Sequence, residues 1–319
     1  MKIYEEIFEL LFDLPYMQTW PEMTSILNRA RSKKLEDWLL PVIACEAITD
    51  NHAAAIPAAA AIGCMQLSII LIDDLLDEDP RGEHHHIGKA AAANLAIAFQ
   101  ATGMSALSRS MAPHETRLAA LDSLNTMMLT TAMGQHLDIC NPDDEDTYWH
   151  LVRTKSSPFF STALYIGAVL AGGAPETADQ IKQFGDLYGE MIQIHDDLND
   201  TLETPANPDW TQGRSPLPIL FAQIVDHQDR ARFLELRRII PDPDALVEAQ
   251  AILIRSGAVS YCIDQLLHRY QATQNILSNL SVAYPDKFES LLANIINPVR
   301  GLFEELGVEH PDELLQPAY

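Results

Sequence analysis

The sequence has few basic residues and few cysteines. Lysine and arginine together number 21 against 45 aspartates and glutamates, which gives the 319-residue chain a formal net charge of −24. A chain of this charge repels phosphate backbones, so we expect no nucleic-acid partner. Its cysteines, at positions 45, 64, 140 and 262, form no CxxC pair. This spacing excludes a disulfide framework and the usual zinc sites, and it favours a reducing, cytoplasmic location.

Signatures of nucleotide-binding loops, secretion signals and membrane spans are also absent. The chain contains no GxGxxG, GKS or GKT sequence, and its N-terminus is acidic where a signal peptide is basic. Residues 51–72 contain no Asp, Glu, Lys or Arg, but they are rich in alanine and run directly into Asp73 and Asp74. This composition favours a buried helix over a membrane span, so we expect no stable membrane insertion.

Helical patterning, by contrast, runs through most of the chain. Apolar residues recur at three- and four-residue spacing, no run of alternating β-branched residues predicts a sheet, and no linker is long enough to force a domain boundary. The sequence therefore predicts a single all-α domain over residues 1–319. Its predicted helices include residues 88–109, 115–139, 158–172, 178–200, 216–225, 228–239, 243–255 and 257–281.

Two aspartate clusters follow apolar helical runs. Each has the pattern DDxxD, at residues 73–77 and 196–200. Residues four apart share a helix face, so the first and last aspartates of each motif form a carboxylate pair. Such a pair is unfavourable unless a hard dication lies between the charges, and oxygen ligands without cysteine select Mg²⁺. For either cluster alone, a solvated acidic helix end is the alternative.

Two such metal sites indicate a particular class of chemistry. A multiply charged phosphate ester can bridge bound metals, and the metals would supply the attraction that an acidic chain lacks. An apolar cavity beside them would hold a hydrocarbon tail. The pattern therefore predicts ionisation of an allylic diphosphate, with loss of diphosphate and formation of a shielded carbocation.

Further motifs make the sequence resemble the trans-isoprenyl diphosphate synthases, the polyprenyl synthetase family, over about residues 30–285. Residues 134–139 resemble its GQxxDL helix, residues 155–160 its KTxxLF stretch, and residues 209–218 its DxxxGKxTLP segment. Gln193 matches the glutamine three residues before the second aspartate motif. The resemblance implies an all-α helical bundle of the isoprenoid synthase type with a central cavity, C-terminal helices and a tail over residues 286–319, and a homodimer.

The resemblance also implies roles for individual residues. Lys155, with Arg214 where the family has lysine, would contact the diphosphate of an allylic prenyl substrate, and Gln193 and Arg81 would assist. Ser68, Ile69 and Phe159 would line the tail cavity, and the absence of an aromatic residue at positions 68 and 69 predicts room for a C15–C20 chain or longer. A cluster of three Mg²⁺ ions would be held by Asp73, Asp74, Asp77, Asp196, Asp197 and Asp200.

The positions that bind isopentenyl diphosphate in the family depart from its pattern here. The family has a GKRxRP motif near its N-terminus. In the corresponding segment here, Lys34 occupies the position of the motif's lysine, and Asp37 or Leu40 occupies the position of its final arginine. Gln66 replaces a histidine, and Arg81 alone replaces an arginine pair. Since charge-assisted contacts to the diphosphate are missing, we predict an enzyme that does not use this acceptor.

Three functions remain open at this point. In the favoured one, the carbocation is cyclised, as in a terpene synthase, or passed to a non-standard acceptor. The first alternative is a chain-elongating polyprenyl diphosphate synthase that condenses isopentenyl diphosphate with an allylic diphosphate, with Arg29 or Arg31 supplying the missing contacts. The second is a non-catalytic partner subunit, which should have lost its metal carboxylates, whereas this chain retains six.

Overall fold

A computed structural model describes residues 2–33, 35–138 and 141–305 of the chain. Every regular element in these ranges is helical, which confirms the predicted all-α class. The first eight helices are α1 (Lys2–Phe12), α2 (Pro21–Lys33), α3 (Leu40–Thr49), α4 (Ile56–Leu76), α5 (His84–Ile87), α6 (Lys89–Ser108), α7 (His114–Asp138) and α8 (Glu145–Lys155). The other eight are α9 (Ser157–Leu170), α10 (Pro175–Leu202), α11 (Pro208–Thr211), α12 (Leu217–Ile224), α13 (Arg230–Arg237), α14 (Pro243–Arg255), α15 (Ala258–Asn279) and α16 (Asp286–Glu305).

Each of the eight segments predicted from the sequence coincides with one of these helices, with ends that differ by three residues at most. Two short 3₁₀ turns, Glu36–Leu39 and Ala53–Ala55, precede α3 and α4. Lys34, Cys140 and residues 306–319 of the expected tail lie outside the described residues.

The chain divides into two compact units. The first comprises Met1–Leu129, Phe159–Gly185 and Leu280–Glu289, and the second comprises Thr130–Pro158, Asp186–Asn279 and Ser290–Tyr319. The first aspartate motif belongs to the first unit and the second motif to the second unit. A single domain with a central cavity over residues 1–319 stays a prediction.

Small side chains bring two helices of the first unit close together. A Cβ atom on Gly103 of α6 would lie 3.0 Å from the carbonyl oxygen of Ala61 in α4, and a Cβ on Gly63 would lie 2.5 Å from the Trp38 ring. The apolar stretch that contains α4, Ala53–Leu76, is 72% buried within the protein. Its aspartate motif therefore starts from a helix fixed by close packing, as the sequence predicts.

Length and hydropathy would allow two of the described helical stretches, Ala53–Leu76 and Lys89–Ser108, to cross a membrane, and the bent pair of α14 and α15 would make a third. Only 39% of the apolar window of α6 is buried, so this helix keeps an exposed apolar face. The absence of stable membrane insertion stays a prediction.

A second core lies in the second unit, around α12 to α15. The Trp210 ring packs against Phe233, with centroids 6.2 Å apart, and Ile219, Leu246 and Ile252 are buried around them. The Trp210 indole N–H donates to the carbonyl oxygen of Thr201 at 2.9 Å. This bond satisfies a carbonyl at the C-terminal end of α10, directly after the second aspartate motif.

Gly134 lets α7 approach α8 at the point where Lys155 emerges. A Cβ atom on Gly134 would lie 2.5 Å from the Lys155 Cα, so alanine there forces the two helices apart. We expect Gly134→Ala to lower the free energy of unfolding by about 1–3 kcal/mol, measured by chemical denaturation. Gly301→Ala is the matched control, because no atom lies within 4 Å of a Cβ at that helical glycine. Equal effects of the two variants would contradict the close approach of α7 and α8.

Candidate active site

The first aspartate motif occupies the C-terminal end of α4. The Asp77 N–H donates to the carbonyl oxygen of Asp73 at 2.9 Å, so helical geometry continues through the motif and the two residues share a face. Carboxylates at this end of a helix face the negative pole of the helix dipole. Three of them in one turn are therefore unfavourable without a cation.

The middle aspartate of this motif, Asp74, is partly buried. Burial raises the pKa of its carboxyl to about 6, and the neighbouring charges of Asp79 and Asp73 act in the same direction. Arg81 opposes the shift, although its guanidinium also pairs with Asp79 at 3.1 Å. Burial is the larger cause of the raised pKa, and the neighbouring carboxylates add to it.

The residues expected to line the tail cavity lie in the first unit. Ser68 is buried, Ile69 is half-buried, and Phe159 is buried with its ring 5.3 Å from that of Phe160. A cleft of about 540 Å³ reaches the first motif and is lined by Leu67, Ile70, Leu71 and Asp74, together with side chains of α2 and of the segment after the motif. The chain-length roles of Ser68, Ile69 and Phe159 stay predictions.

The second motif presents two aspartates and buries one. Asp196 and Asp200, four residues apart on α10, are exposed, whereas Asp197 is only 5% exposed. These carboxylates also lie in the last two turns of their helix, at the negative pole of its dipole. The metal-binding role of the exposed pair stays a prediction.

Protein hydrogen bonds use both oxygens of Asp197. Its Oδ2 accepts from the Tyr148 hydroxyl at 2.7 Å and from the backbone N–H of Leu217 at 2.6 Å, and its Oδ1 accepts from Gln193 Nε2 at 2.7 Å. Burial nevertheless raises the pKa of this carboxyl to about 6, because desolvation outweighs the three hydrogen bonds. Asp197 thus holds α8, α10 and the start of α12 in register, and its role as a metal ligand stays a prediction.

Lys155 and Arg214 come together on one carboxylate in the second unit. Lys155 Nζ lies 2.6 Å from Asp138 Oδ2, and an Arg214 guanidinium nitrogen lies 3.8 Å from the same oxygen. A cavity of about 110 Å³ beside them is also lined by Gln193, Asp197 and Asp209. Two cations directed at one anionic oxygen form an arrangement that suits the oxygens of a phosphate.

Asp209 and Gln193 complete this cavity. Burial raises the pKa of Asp209 to about 6, and Asp197 adds to the shift while Arg214 opposes it. Gln193 accepts from the Ser156 hydroxyl at 2.6 Å while it donates to Asp197. Gln193 therefore connects the segment after Lys155 to the second motif, and the predicted phosphate side chains Lys155, Arg214 and Gln193 lie in one cavity.

Two positioning contacts were missed by the sequence analysis. Tyr148 lies seven residues before Lys155, which is two helical turns and hence the same face of α8, so the spacing carried a usable signal. Asp138 is the aspartate of the segment that resembles GQxxDL, but no role was predicted for it. No local pattern indicates that it pairs with both cations, because the contact joins three separate segments.

The donor set fits Mg²⁺ bound together with a substrate. Among the residues that the structure describes, no three His, Cys, Asp or Glu side chains form a ready-made metal site. Mg²⁺ commonly takes only one or two carboxylates and completes its shell with phosphate oxygens and water. Carboxylate pairs such as Asp73 with Asp77, and Asp196 with Asp200, meet that requirement.

The all-helical fold, the two aspartate motifs and the cavity lined by Lys155 and Arg214 agree with the family that the sequence resembles. The sequence profile of the polyprenyl synthetase family matches residues 22–251, so the chain is a member of that family, as predicted. Its fold is shared with the geranylgeranyl pyrophosphate synthetase from Pyrococcus horikoshii Ot3, with a TM-score of 0.77 and 19% identity over 92% of this chain and 93% of that one.

Curated relatives carry related names. The chain is 28% identical to the geranylgeranyl diphosphate synthase of Methanosarcina mazei over 180 residues, which are 54% of this chain and 55% of that protein, about half its length. It is 26% identical to the short chain isoprenyl diphosphate synthase of Methanothermobacter thermautotrophicus over 275 residues, 81% of this chain and 83% of that protein. These relatives are named as synthases of prenyl diphosphates.

Tyr148→Phe tests the positioning of Asp197. Removal of this hydroxyl leaves the buried carboxylate with one donor fewer, so we expect about tenfold lower turnover and a higher Mg²⁺ concentration at half-maximal rate. Tyr4→Phe is the matched control, since it also removes a single hydroxyl bond, to the Leu35 carbonyl oxygen in the first unit. An unchanged Mg²⁺ dependence in Tyr148→Phe would contradict the assignment.

Proposed function

We propose that the chain is a Mg²⁺-dependent prenyltransferase that ionises an allylic prenyl diphosphate and joins the prenyl group to isopentenyl diphosphate. The observation that carries the first half is the approach of Lys155 and Arg214 to Asp138, beside the second aspartate motif. The second half follows the names of the relatives, which favour chain elongation over the cyclisation that the sequence departures suggested.

The residues of the chain would divide the chemistry as follows. The two motifs would hold up to three Mg²⁺ ions, through Asp73 and Asp77 in the first unit and through Asp196 and Asp200 in the second. Mg²⁺ bound to Asp196 and Asp200 would neutralise charge on the departing diphosphate. Lys155 and Arg214 would bind the same group and stabilise the charge that it gains when the allylic C–O bond breaks and the diphosphate takes the electron pair. The alkene of the acceptor would then attack the allylic cation and form the new C–C bond. The cation that results would lose a proton to the released diphosphate.

The basic side of the first-unit cleft supports an acceptor site. Arg29 and Lys33, one turn apart on α2, line it together with Arg81 and His86. Arg29 pairs with Glu83 at 2.6 Å, which places its guanidinium at the segment after the first motif. Of the two arginines that the sequence left as candidates, Arg29 lines this cleft, while Arg31 pairs with Glu5.

A second candidate function rests on the positions that replace the usual acceptor residues. Gln66 Nε2 donates to Asp37 Oδ2 at 2.8 Å, and Gln66 Oε1 accepts from the Trp38 indole N–H at 2.7 Å. Gln66 is thereby hydrogen-bonded to both Asp37 and Trp38, and Asp37 is hydrogen-bonded to Gln66. This observation favours the original prediction, cyclisation or transfer to a non-standard acceptor, if the cations of the cleft do not bind isopentenyl diphosphate.

We also propose that the chain forms a homodimer through the exposed face of α6 and α7. From Ala90 to Ser108, α6 carries no charged residue, and Ile97 is 65% exposed. On α7, Leu118 and Leu129 are 58% and 71% exposed. The uncharged stretch of α6, in a chain of net charge −24, is a place where two copies can meet with little repulsion, whereas on α7 the exposed Asp122 lies between Leu118 and Leu129. The cytoplasmic location stays a prediction.

A product assay decides between the functions. The purified chain is given Mg²⁺ with geranyl, farnesyl or geranylgeranyl diphosphate, with and without isopentenyl diphosphate, and products are identified by mass spectrometry. We expect a longer prenyl diphosphate only when isopentenyl diphosphate is present. A hydrocarbon or alcohol formed without it would support cyclisation or hydrolysis instead, and no turnover by the chain alone would support a partner subunit.

The cleft is tested by the double substitution of Arg29 and Lys33 with alanine. If these cations bind the acceptor diphosphate, the KM for isopentenyl diphosphate should rise at least about tenfold, while the KM for the allylic substrate stays within about twofold. Arg31→Ala on the same helix is the control, because its side chain pairs with Glu5 and packs over Phe8. A larger effect on the allylic substrate would contradict the acceptor role.

The homodimer is tested by Ile97→Asp and sedimentation equilibrium. The wild type should have twice the chain mass. The variant should be monomeric, or its dimer should have a dissociation constant about tenfold higher, because the interface would bury a charge. Ile254→Asp, a substitution at a 63% exposed position of α14, should leave the mass unchanged. A monomeric wild type would overturn the proposal.

A further inference from the structure

The side chain of Asn141 grips the loop that carries Arg214. Its Nδ2 donates to the carbonyl oxygen of Gly213 at 3.0 Å, and its Oδ1 accepts from the backbone N–H of Ser215 at 3.0 Å. The two contacts fall on the residues immediately before and after Arg214. A single amide therefore fixes the backbone on both sides of one of the two phosphate-facing cations.

The chemistry of this clamp selects asparagine. The loop offers one acceptor and one donor, and only an amide of this length carries a complementary donor and acceptor on one planar group. Asn141 also has a φ of +54°, in the left-handed region that asparagine tolerates better than other residues with a side chain. Its backbone N–H donates to the carbonyl oxygen of Asp138 at 3.1 Å, so the clamp starts three residues after the carboxylate that Arg214 approaches.

Other contacts hold the same loop from its remaining sides. Arg237 donates to the carbonyl oxygen of Arg214 at 2.6 Å, and the Arg214 N–H donates to the carbonyl oxygen of Asp209 at 2.8 Å. These two bonds come from residues 209 and 237 of the second unit. The Asn141 clamp adds the connection to the end of α7, where Asp138 and its partner Lys155 lie.

We propose that Asn141 is a positioning residue for diphosphate binding, which acts through Arg214 by holding it opposite Lys155 at the cavity. The proposal rests on the proposed function, because it takes Arg214 as a ligand of the diphosphate. A cation whose loop is already fixed loses less conformational entropy when the anion binds. Without the clamp, the charge of Arg214 remains but its placement is looser, so diphosphate binds more weakly.

A double-mutant cycle on the full-length chain tests this. The probe is inorganic pyrophosphate with Mg²⁺, titrated by calorimetry into the wild type, Asn141→Gly, Arg214→Ala and the double variant. Glycine removes the clamp while it permits the positive φ, and Asn141→Ala serves as a second variant without the clamp. Thermal unfolding of each variant, without ligand, reports any loss of stability.

Arg214→Ala should weaken binding of pyrophosphate by about 10- to 100-fold, and Asn141→Gly by about fivefold. In the Arg214→Ala background, Asn141→Gly should have almost no further effect, because the residue acts through the missing guanidinium. Additive effects, or unchanged binding in Asn141→Gly, would overturn the proposal and leave the proposed function in place. Unchanged binding in Arg214→Ala would overturn the proposal together with the diphosphate-binding role of Arg214 in the proposed function. Wild-type chain that binds no pyrophosphate in the presence of Mg²⁺ would overturn both.

Discussion

Negative charge at the C-terminal end of a helix, where the helix dipole is also negative, is the constraint on which the rest of this structure depends. Both aspartate motifs lie in the C-terminal turns of long helices, α4 and α10, where the helix dipole already disfavours a carboxylate. The chain adds a net charge of −24 to this cost. A bound cation would reverse the sign of this interaction, and in the proposed function Mg²⁺ with a diphosphate supplies both the cation and its partner.

The second unit shows how positive charge is kept beside this acidic region. Lys155 and Arg214 are drawn to Asp138, which holds them toward one cavity although three further carboxylates, those of Asp197, Asp200 and Asp209, lie nearby. The buried Asp197 contributes structure: its three donors come from α8, α10 and the start of α12. The same residue type thus serves as counter-ion at Asp138 and as positioning group at Asp197, and in the proposed function as exposed metal ligand at Asp196 and Asp200.

The sequence allowed much of this arrangement to be predicted, because periodicity and local spacing report helices and their faces. The helix ends and the two carboxylate pairs follow from such local signals, whereas Lys155, Arg214 and Gln193 were predicted from the resemblance to the polyprenyl synthetase family. Tyr148 was missed although its spacing to Lys155 placed it on the same face. The pairing of Asp37 with Gln66, and the clamp of Asn141 on the Arg214 loop, were not accessible, because each joins residues about 30 or more positions apart through side-chain geometry.

The identity of the acceptor is the point on which the sequence prediction and the names of the relatives differ. Substitutions at positions 37, 66 and 80 suggested that isopentenyl diphosphate had lost its site, whereas the named relatives favour elongation and the cleft beside α2 offers Arg29 and Lys33. The sequence had already left Arg29 open as a candidate, because a short N-terminal motif can shift along a helix by one turn and keep the same face.

The central claim is that the paired carboxylates must bind a cation before an allylic diphosphate can be ionised. Measurement of pyrophosphate release tests this claim most directly. Purified chain is given farnesyl diphosphate and isopentenyl diphosphate, and free pyrophosphate is measured with Mg²⁺, with a chelator, and for Asp196→Asn. The account predicts release that requires Mg²⁺ and falls at least about a hundredfold in Asp196→Asn. Release that continues with the chelator, or at an unchanged rate in the variant, would contradict it.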